Sequence, residues 1–385
     1  MASISKYQKD GKTFYKFQVY LGINEQTGKK RYTTRRGFDT LREARLVLSK
    51  LELQADSGQL DQQPINLTFE DVYQQWWAGY INTVRESTMY KQKKVFQNHI
   101  LPAFGKYRIR TITTSQVQTT LNKWFKQTDY SFKPWFNYTS AIFKYAILQG
   151  YVKDNPCTRV TMPKKLDKED TLNFWDKDQL KTFFNGIDPV NDLEKYTLFR
   201  VLAFTGIRRG ECLSLTWDDL NVQKATLDIN KTLTHGDKGR LLIQPTKTKK
   251  GTRVISLDES TLLYLKKWHL EQRRMYLMLG YNINKSNQLI FATSKNTFKS
   301  LNTPSKWLRA LIDDANKSVA NLPSITVHGF RHSHASALFS AGASIKEVQE
   351  RLGHEDAQTT LNIYTHVTEK QGQEAVQKLV NFLNF

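Results

Sequence analysis

The chain has 385 residues, with 57 Lys and Arg against 36 Asp and Glu, a formal charge of +21 and an isoelectric point near 9.7. Such an excess points to a polyanion partner, nucleic acid first, because each phosphate neutralised by Lys or Arg releases condensed counterions. No apolar stretch approaches bilayer length, MASISKYQKDGK lacks the apolar core of a signal peptide, and Cys157 and Cys212 are too few for a disulfide framework or a zinc-like spacing; a cytoplasmic protein with no membrane partner is expected.

The length suits two or three domains. TFYKFQVYLG and KKRYTTRRGF alternate about NEQTGK, predicting a β-hairpin with Gly28 in the turn, Phe14, Lys16 and Gln18 on one face and Tyr15, Phe17 and Val19 on the other. Thr40 and Glu43 read as a capping box opening a helix to about Ala55, striped by Leu41, Ala44, Val47, Leu48 and Leu51. The basic residues Lys29, Lys30, Arg31, Arg35 and Arg36 are candidates to enter a DNA groove, against the alternative of a solvated face.

SGQLDQQPIN (57–66) reads as a linker. From Thr68 to about Pro156 four or five helices are expected, with Trp76, Trp77, Trp124, Trp135, Phe136 and Phe143 as core. Residues 64–165 carry 15 basic and 5 acidic side chains, the densest excess in the chain, and Lys91, Lys93, Lys94, Lys106, Arg108 and Arg110 are the candidate phosphate contacts there. KKLDKED marks a second linker. Beyond it, Asp176 and Gln179 cap a helix, KYTLFRVLAFTGIRRGECLSL breaks near Thr205-Gly206, and TLDIN, RLLIQP and TRVISL read as strands with Lys247 between the last two. Helices follow at about 259–279, 305–316 and 331–340, and Ser344 with Glu347 caps one that stops at Gly353.

Seven residues carry chemistry: Arg208 and Glu211 in TGIRRGE, Lys247 in PTKTKKG, His328 and Arg331 in HGFR, His354 in LGHED and Tyr364 in NIYTH. Cations and imidazoles around one phenol suit a phosphodiester, since the planar fork of Arg matches two phosphate oxygens. Lys247, on a hairpin tip, suits a general acid, and protonating an alkoxide leaving group is worth roughly 10²–10⁴ in rate. Ionising a phenol at neutral pH costs roughly 4 kcal/mol, which nearby positive charge reduces. Nothing resembles a P-loop or a two-metal carboxylate cluster.

These motifs, TGIRRGE, KTKKG, HGFRH, LGH and NIYTH, closely resemble those of the tyrosine recombinases, specifically phage-type and integrative-element integrases with an N-terminal arm-binding domain. The resemblance implies a multi-domain tyrosine recombinase fold. An arm-type DNA-binding domain of small β-sheet plus helix (1–56) is followed, after linker 57–66, by an all-α core-binding bundle (67–163). After linker 164–173 comes a mainly α catalytic domain with a small antiparallel sheet (174–385). It implies Arg208, Lys247, His328, Arg331 and His354 as the activating set, Glu211 as the supporting acid and Tyr364 as the nucleophile. Lys249 and Lys250 stand beside Lys247, which is preferred because it occupies the family's KT step. No metal or other cofactor is implied. The implied partners are double-stranded attachment sites of core and arm type, a homo-tetramer on DNA, a host bending protein and an excisionase, acting on the nucleoid of a bacterial host. The tail stripe Val376, Leu379, Val380 and Leu383 would pack on a neighbouring protomer or on its own domain.

A metal-dependent hydrolase built on His328, His332, His334, His354 and His366 is a rival, weakened because His332 and His334 share no helix face. A non-catalytic DNA-binding regulator leaves the seven-residue set unexplained. A chromosome-resolution recombinase normally lacks the arm-type segment, and a type IB topoisomerase would relax DNA without exchange.

Overall fold

The structure, a computed structural model, describes residues 3–23, 29–56, 66–128, 131–164, 173–282, 286–318, 321–353, 355 and 361. It divides into two compact units, Met1–Asn82 with Val95–Pro163, and Thr83–Lys94 with Lys164–Phe385. The expected turn at Gly28, the body of both linkers, His354, Tyr364, His366 and the tail stripe lie outside the described residues.

In the first unit, β1 (Ile4–Lys9), β2 (Lys12–Ile23) and β3 (Lys30–Phe38) form an antiparallel sheet. The hairpin expected from alternation is β2 and β3; β1 is an addition, an edge strand whose lone Ile4 and Tyr7 give too little apolar alternation to read. α1 (Leu41–Asp56) starts where the Thr40 hydroxyl accepts from the Glu43 N–H at 3.2 Å. Its Ala44 and Leu48 pack on Phe17 and Val19, so the face expected to be apolar is the covered one.

Along the chain follow the helices α2 (Phe69–Tyr80), α3 (Glu86–Val95), α4 (Leu101–Phe104), α5 (Thr114–Gln127) and α6 (Phe132–Leu148). Capping boxes at Thr68 with Asp71 and at Thr113 with Gln116 open α2 and α5. One π turn, Phe96–Ile100, carries the chain from α3 into α4 just before Pro102, which has no N–H to offer a helix interior. Phe69, Phe96, Ile100, Leu121, Ile142 and Phe143 are buried together. Trp124 and Trp135 meet edge to face at 5.7 Å within that core, while Trp76, Trp77 and Phe136 pack against its rim.

The second unit is built on α7 (Lys177–Asn185), α8 (Leu193–Thr205), the single turn α9 (Arg209–Cys212), α10 (Glu259–Met278), α11 (Thr303–Ser318), α12 (Gly329–Ser340) and α13 (Ile345–Leu352). Its strands are β4 (Leu220–Asn221), β5 (Thr226–Ile229), β6 (Lys231–His235), β7 (Leu241–Pro245) and β8 (Arg253–Ser256). β4, β5 and β8 pair in one antiparallel sheet, and β6 with β7 forms a separate hairpin. KTLTH, now β6, was not expected as a strand: among its residues only Leu233 is buried, so no alternation is visible. α8 is the central element, with Leu198, Phe199, Val201 and Leu202 buried among Phe183, Leu265, Phe330 and Ile255. Residues Thr83–Lys94, including most of α3, belong to this unit.

Candidate active site

α8 stops at Thr205 because Gly206 takes the left-handed conformation, φ 65°, where a Cβ would sit 2.5 Å from Leu352 and 2.7 Å from His334. Arg208 then occupies the N-cap of α9. The Glu211 carboxylate reaches back to its N–H at 2.9 Å and to its guanidinium at 2.8 Å. Arg208 and Glu211 therefore meet through a cap, rather than across one face of a helix as their spacing suggests.

Glu211 is 3% exposed and is gripped a second time by Arg253 Nη2 at 3.1 Å. Burial disfavours its charge, but Arg253 and Arg208 outweigh this and hold the carboxyl below its ordinary range. Arg253 also donates to the Arg351 carbonyl at 2.8 Å and the Gly251 carbonyl at 2.9 Å, tying α9, the end of α13 and the loop before β8 into one cluster.

Arg331, 1% exposed at the start of α12, clamps two helix ends. Nη1 donates to the Gly206 carbonyl at 2.8 Å and Nη2 to the Leu352 carbonyl at 2.6 Å. Burial, then the neighbouring Arg208, pulls this guanidinium down to about 9. One turn on, His334 donates from Nδ1 to the Ala203 carbonyl at 2.9 Å and accepts at Nε2 from Arg351 at 3.0 Å, so both ring nitrogens are committed and the ring is neutral. Among the rival's metal ligands, His334 is thus already occupied. His328 stands against His332 with ring centroids 4.8 Å apart. Burial, then His332, Arg331, Arg208 and Arg209, lower it to about 4, so it is neutral at physiological pH.

Lys247 projects from the loop between β7 and β8 with an exposed side chain. The base of the loop closes through the Thr246 and Thr252 hydroxyls at 2.8 Å, and the Gly251 N–H donates to the Thr248 carbonyl at 3.0 Å. Gly353, left-handed at φ 66° and ending α13, lies so close to this loop that a Cβ would stand 2.5 Å from the Lys250 carbonyl.

The structure thus gathers Arg208, Glu211, His328 and Arg331, with Lys247 on an adjoining loop. Sequence reasoning missed Arg253. Its signal was β8 itself: Arg253 shares a strand face with buried Ile255, and an inward Arg demands a carboxylate such as Glu211.

The candidate DNA contacts are less coherent. Lys29, Lys30, Arg35 and Arg36 are exposed and Arg31 is half-buried, but the register puts Arg36 opposite Lys16 and Arg35 opposite buried Phe17, so the basic run divides between two sheet faces. The open face instead combines Lys16, Gln18 and Arg36 with the ring pair Tyr20 and Tyr32 at 5.4 Å. Lys91, Lys94, Lys106 and Arg108 are exposed. Lys93 lies 3.9 Å from Asp237, and Arg110 donates to the Tyr151 carbonyl at 2.7 Å. Among the described residues no helix is long and apolar enough to cross a membrane, and no group of three His, Cys, Asp or Glu could hold a metal ion.

Residues 173–371 match the phage integrase family, residues 68–125 its N-terminal SAM-like domain, and residues 3–55 an arm DNA-binding domain. The ICEBs1 integrase of Bacillus subtilis is 28% identical over 374 residues, covering 96% of this chain and 97% of that protein. A "Tyrosine recombinase XerC-like" of Caldanaerobacter subterraneus is also 28% identical, covering 98% and 99%. Among solved structures, the Tn1549 transposon integrase with circular intermediate DNA aligns with a TM-score of 0.65 at 20% identity, over 81% of this chain and 99% of that one. A lambda integrase dimer bound to a COC′ core site gives 0.58 at 16% identity, over 93% and 94%. The catalytic match alone spans more than half the sequence, and with it the chain belongs to the phage integrase family of tyrosine recombinases.

Proposed function

We propose that the protein is a site-specific DNA integrase that cleaves and rejoins DNA through a 3′-phosphotyrosine at Tyr364, integrating or excising a phage or mobile element. The observation that carries this reading is an excess of positive charge about one carboxylate: buried Arg253 and Arg331, with the half-exposed Arg208, face Glu211 alone. A guanidinium whose charge is disfavoured by burial and by like neighbours is relieved by an incoming phosphate.

In this reading Arg208 and Arg331 stabilise the charge growing on the non-bridging oxygens, and Glu211 with Arg253 holds Arg208 in place. His328, neutral before DNA arrives, donates a hydrogen bond to the same oxygens without adding a charge, and His354 joins it or accepts the phenol's proton. Tyr364 attacks phosphorus while Lys247 protonates the departing 5′ oxygen. The ester conserves the energy of the diester, so a 5′-hydroxyl from another strand reverses the step without ATP.

The division into arm (1–56), core-binding (67–163) and catalytic (174–385) domains belongs to the same proposal, as do double-stranded core and arm sites, tetramer assembly, a host bending protein and an excisionase. A lambda integrase tetramer on a Holliday junction, TM-score 0.55, supports the assembly. The arm-domain match over residues 3–55 favours an integrative element over chromosome resolution. The test is incubation with nicked suicide attachment-site DNA. A covalent protein–DNA adduct is expected from the native chain and none from Tyr364→Phe, which should still bind DNA with an affinity that falls steeply with salt.

A further inference from the structure

The segment Thr83–Lys94, which continues into the helical bundle by sequence, folds with the second unit. Arg85, the residue before α3, makes an unusual set of bonds there. Its Nη1 donates to the carbonyls of Pro245 at 3.1 Å and Thr246 at 3.2 Å, and its Nη2 to those of Thr246 at 3.2 Å and Lys247 at 3.4 Å. One planar fork thus spans three successive carbonyls that end at the lysine itself. A point-charge ammonium cannot reproduce that geometry.

The neighbours of Arg85 hold the same hairpin. Glu86 accepts from the Asp237 N–H at 2.7 Å and from Arg240 at 3.0 Å, and the Ser87 hydroxyl donates to Gln244 at 3.0 Å. On the other flank, the loop is closed by Thr246 with Thr252 and tied to the buried cluster by Arg253 at Gly251. The stretch of backbone from which Lys247 departs is therefore fixed on its N-terminal side by Arg85.

We infer that Arg85 is a positioning residue for the general acid: it sets the place of the Lys247 backbone, and through it the reach of the ammonium toward the scissile 5′ oxygen. This rests on the reading of Lys247 as proton donor. In the cleavage step the Tyr364 phenol passes its proton to the His354 imidazole as its oxygen bonds to phosphorus, the bond from phosphorus to the 5′ oxygen breaks, and the Lys247 ammonium gives its proton to that oxygen, leaving a phosphotyrosine diester, an imidazolium, a 5′-hydroxyl and a neutral amine. Without Arg85 the ammonium is misplaced and the oxygen leaves unprotonated.

The experiment compares full-length Arg85→Ala, Arg85→Lys and Lys247→Ala on two suicide substrates, one with the ordinary scissile diester and one with sulfur replacing the bridging 5′ oxygen. A thiolate leaves without protonation, because a thiol ionises at about pH 8.5 whereas water, the simplest hydroxyl, does so at about 15.7. Both Arg85 variants should cleave the oxygen substrate about 10- to 100-fold more slowly than the native chain, a fraction of the roughly 10²–10⁴ a general acid supplies. They should cleave the sulfur substrate at close to the native rate and retain native core-site affinity in a gel shift. An equal loss on both substrates, native behaviour of Arg85→Lys, or weakened DNA binding that accounts for the loss would overturn the inference and mark Arg85 as a phosphate contact or a folding residue. Failure of sulfur to restore Lys247→Ala would instead remove the reading of Lys247, and the inference with it.

Discussion

Arg253→Met removes one charge from the buried cluster while keeping an apolar stem of similar length. Glu211 is 3% exposed and then keeps its direct ion pair with Arg208, whose side chain is 43% exposed. Breaking a buried pair from one side costs about 3–5 kcal/mol, because it strands the other charge. For a unit of some 200 residues that is about 6–20 °C in melting temperature. The bonds to the carbonyls of Arg351 and Gly251 are lost as well, so the end of α13 and the Lys247 loop loosen together.

The penalty should depend on pH with a definite sign. In the native chain the Glu211 carboxyl lies below its usual value of 4.5, so its contribution is present above that value and fades as pH falls through the depressed one. In the variant the carboxyl loses the largest influence opposing burial and rises from its depressed value, so the penalty is full at neutral pH and shrinks as pH falls. Urea unfolding followed by tryptophan fluorescence, at pH 7 and pH 5, measures this, and Arg253→Met combined with Glu211→Gln should recover much of the loss. A loss under about 1 kcal/mol, or one that grows on acidification, would refute the reasoning.

Gly353→Ala should impair cleavage far more than DNA binding, since the residue is left-handed and a Cβ would press within 2.5 Å of the Lys250 carbonyl; suicide-substrate cleavage beside a gel shift checks it. His328 and His334 are both lowered from 6.5 to about 4, so the unfolded chain takes up protons that the folded one refuses. Stability should therefore fall as pH drops from about 6.5 toward about 4, and His334→Gln should flatten that slope; an unchanged slope would count against the buried neutral ring.

Motif order and spacing singled out the candidate set, and the motifs around Gly206 and Gly353 sit at element boundaries with their own signals: Gly206 after an apolar helix, a capping box at Ser344, Gly353 after it. Periodicity was enough for α2, α5 and α6, whose apolar stripes are buried as expected. What escaped was contact across long sequence separations. Arg85 and Lys247 lie 162 residues apart, and Arg253 and Arg351 lie 98 apart, and neither pair has a local pattern. The basic run in β3 shows a different limit: strand alternation sends neighbouring residues to opposite faces, so charge density along a strand does not become charge density on one surface.

The proposed chemistry turns on residue 364, whose hydroxyl becomes esterified to a 3′ phosphate. Digesting the trapped protein–DNA adduct with protease and nuclease and sequencing the nucleotide-bearing peptide by mass spectrometry tests it most directly. A single modified peptide is expected, carrying the phosphate on Tyr364, with a free 5′-hydroxyl on the released strand; an adduct on another residue, or a 5′-phosphate linkage, would rule out Tyr364 as the nucleophile.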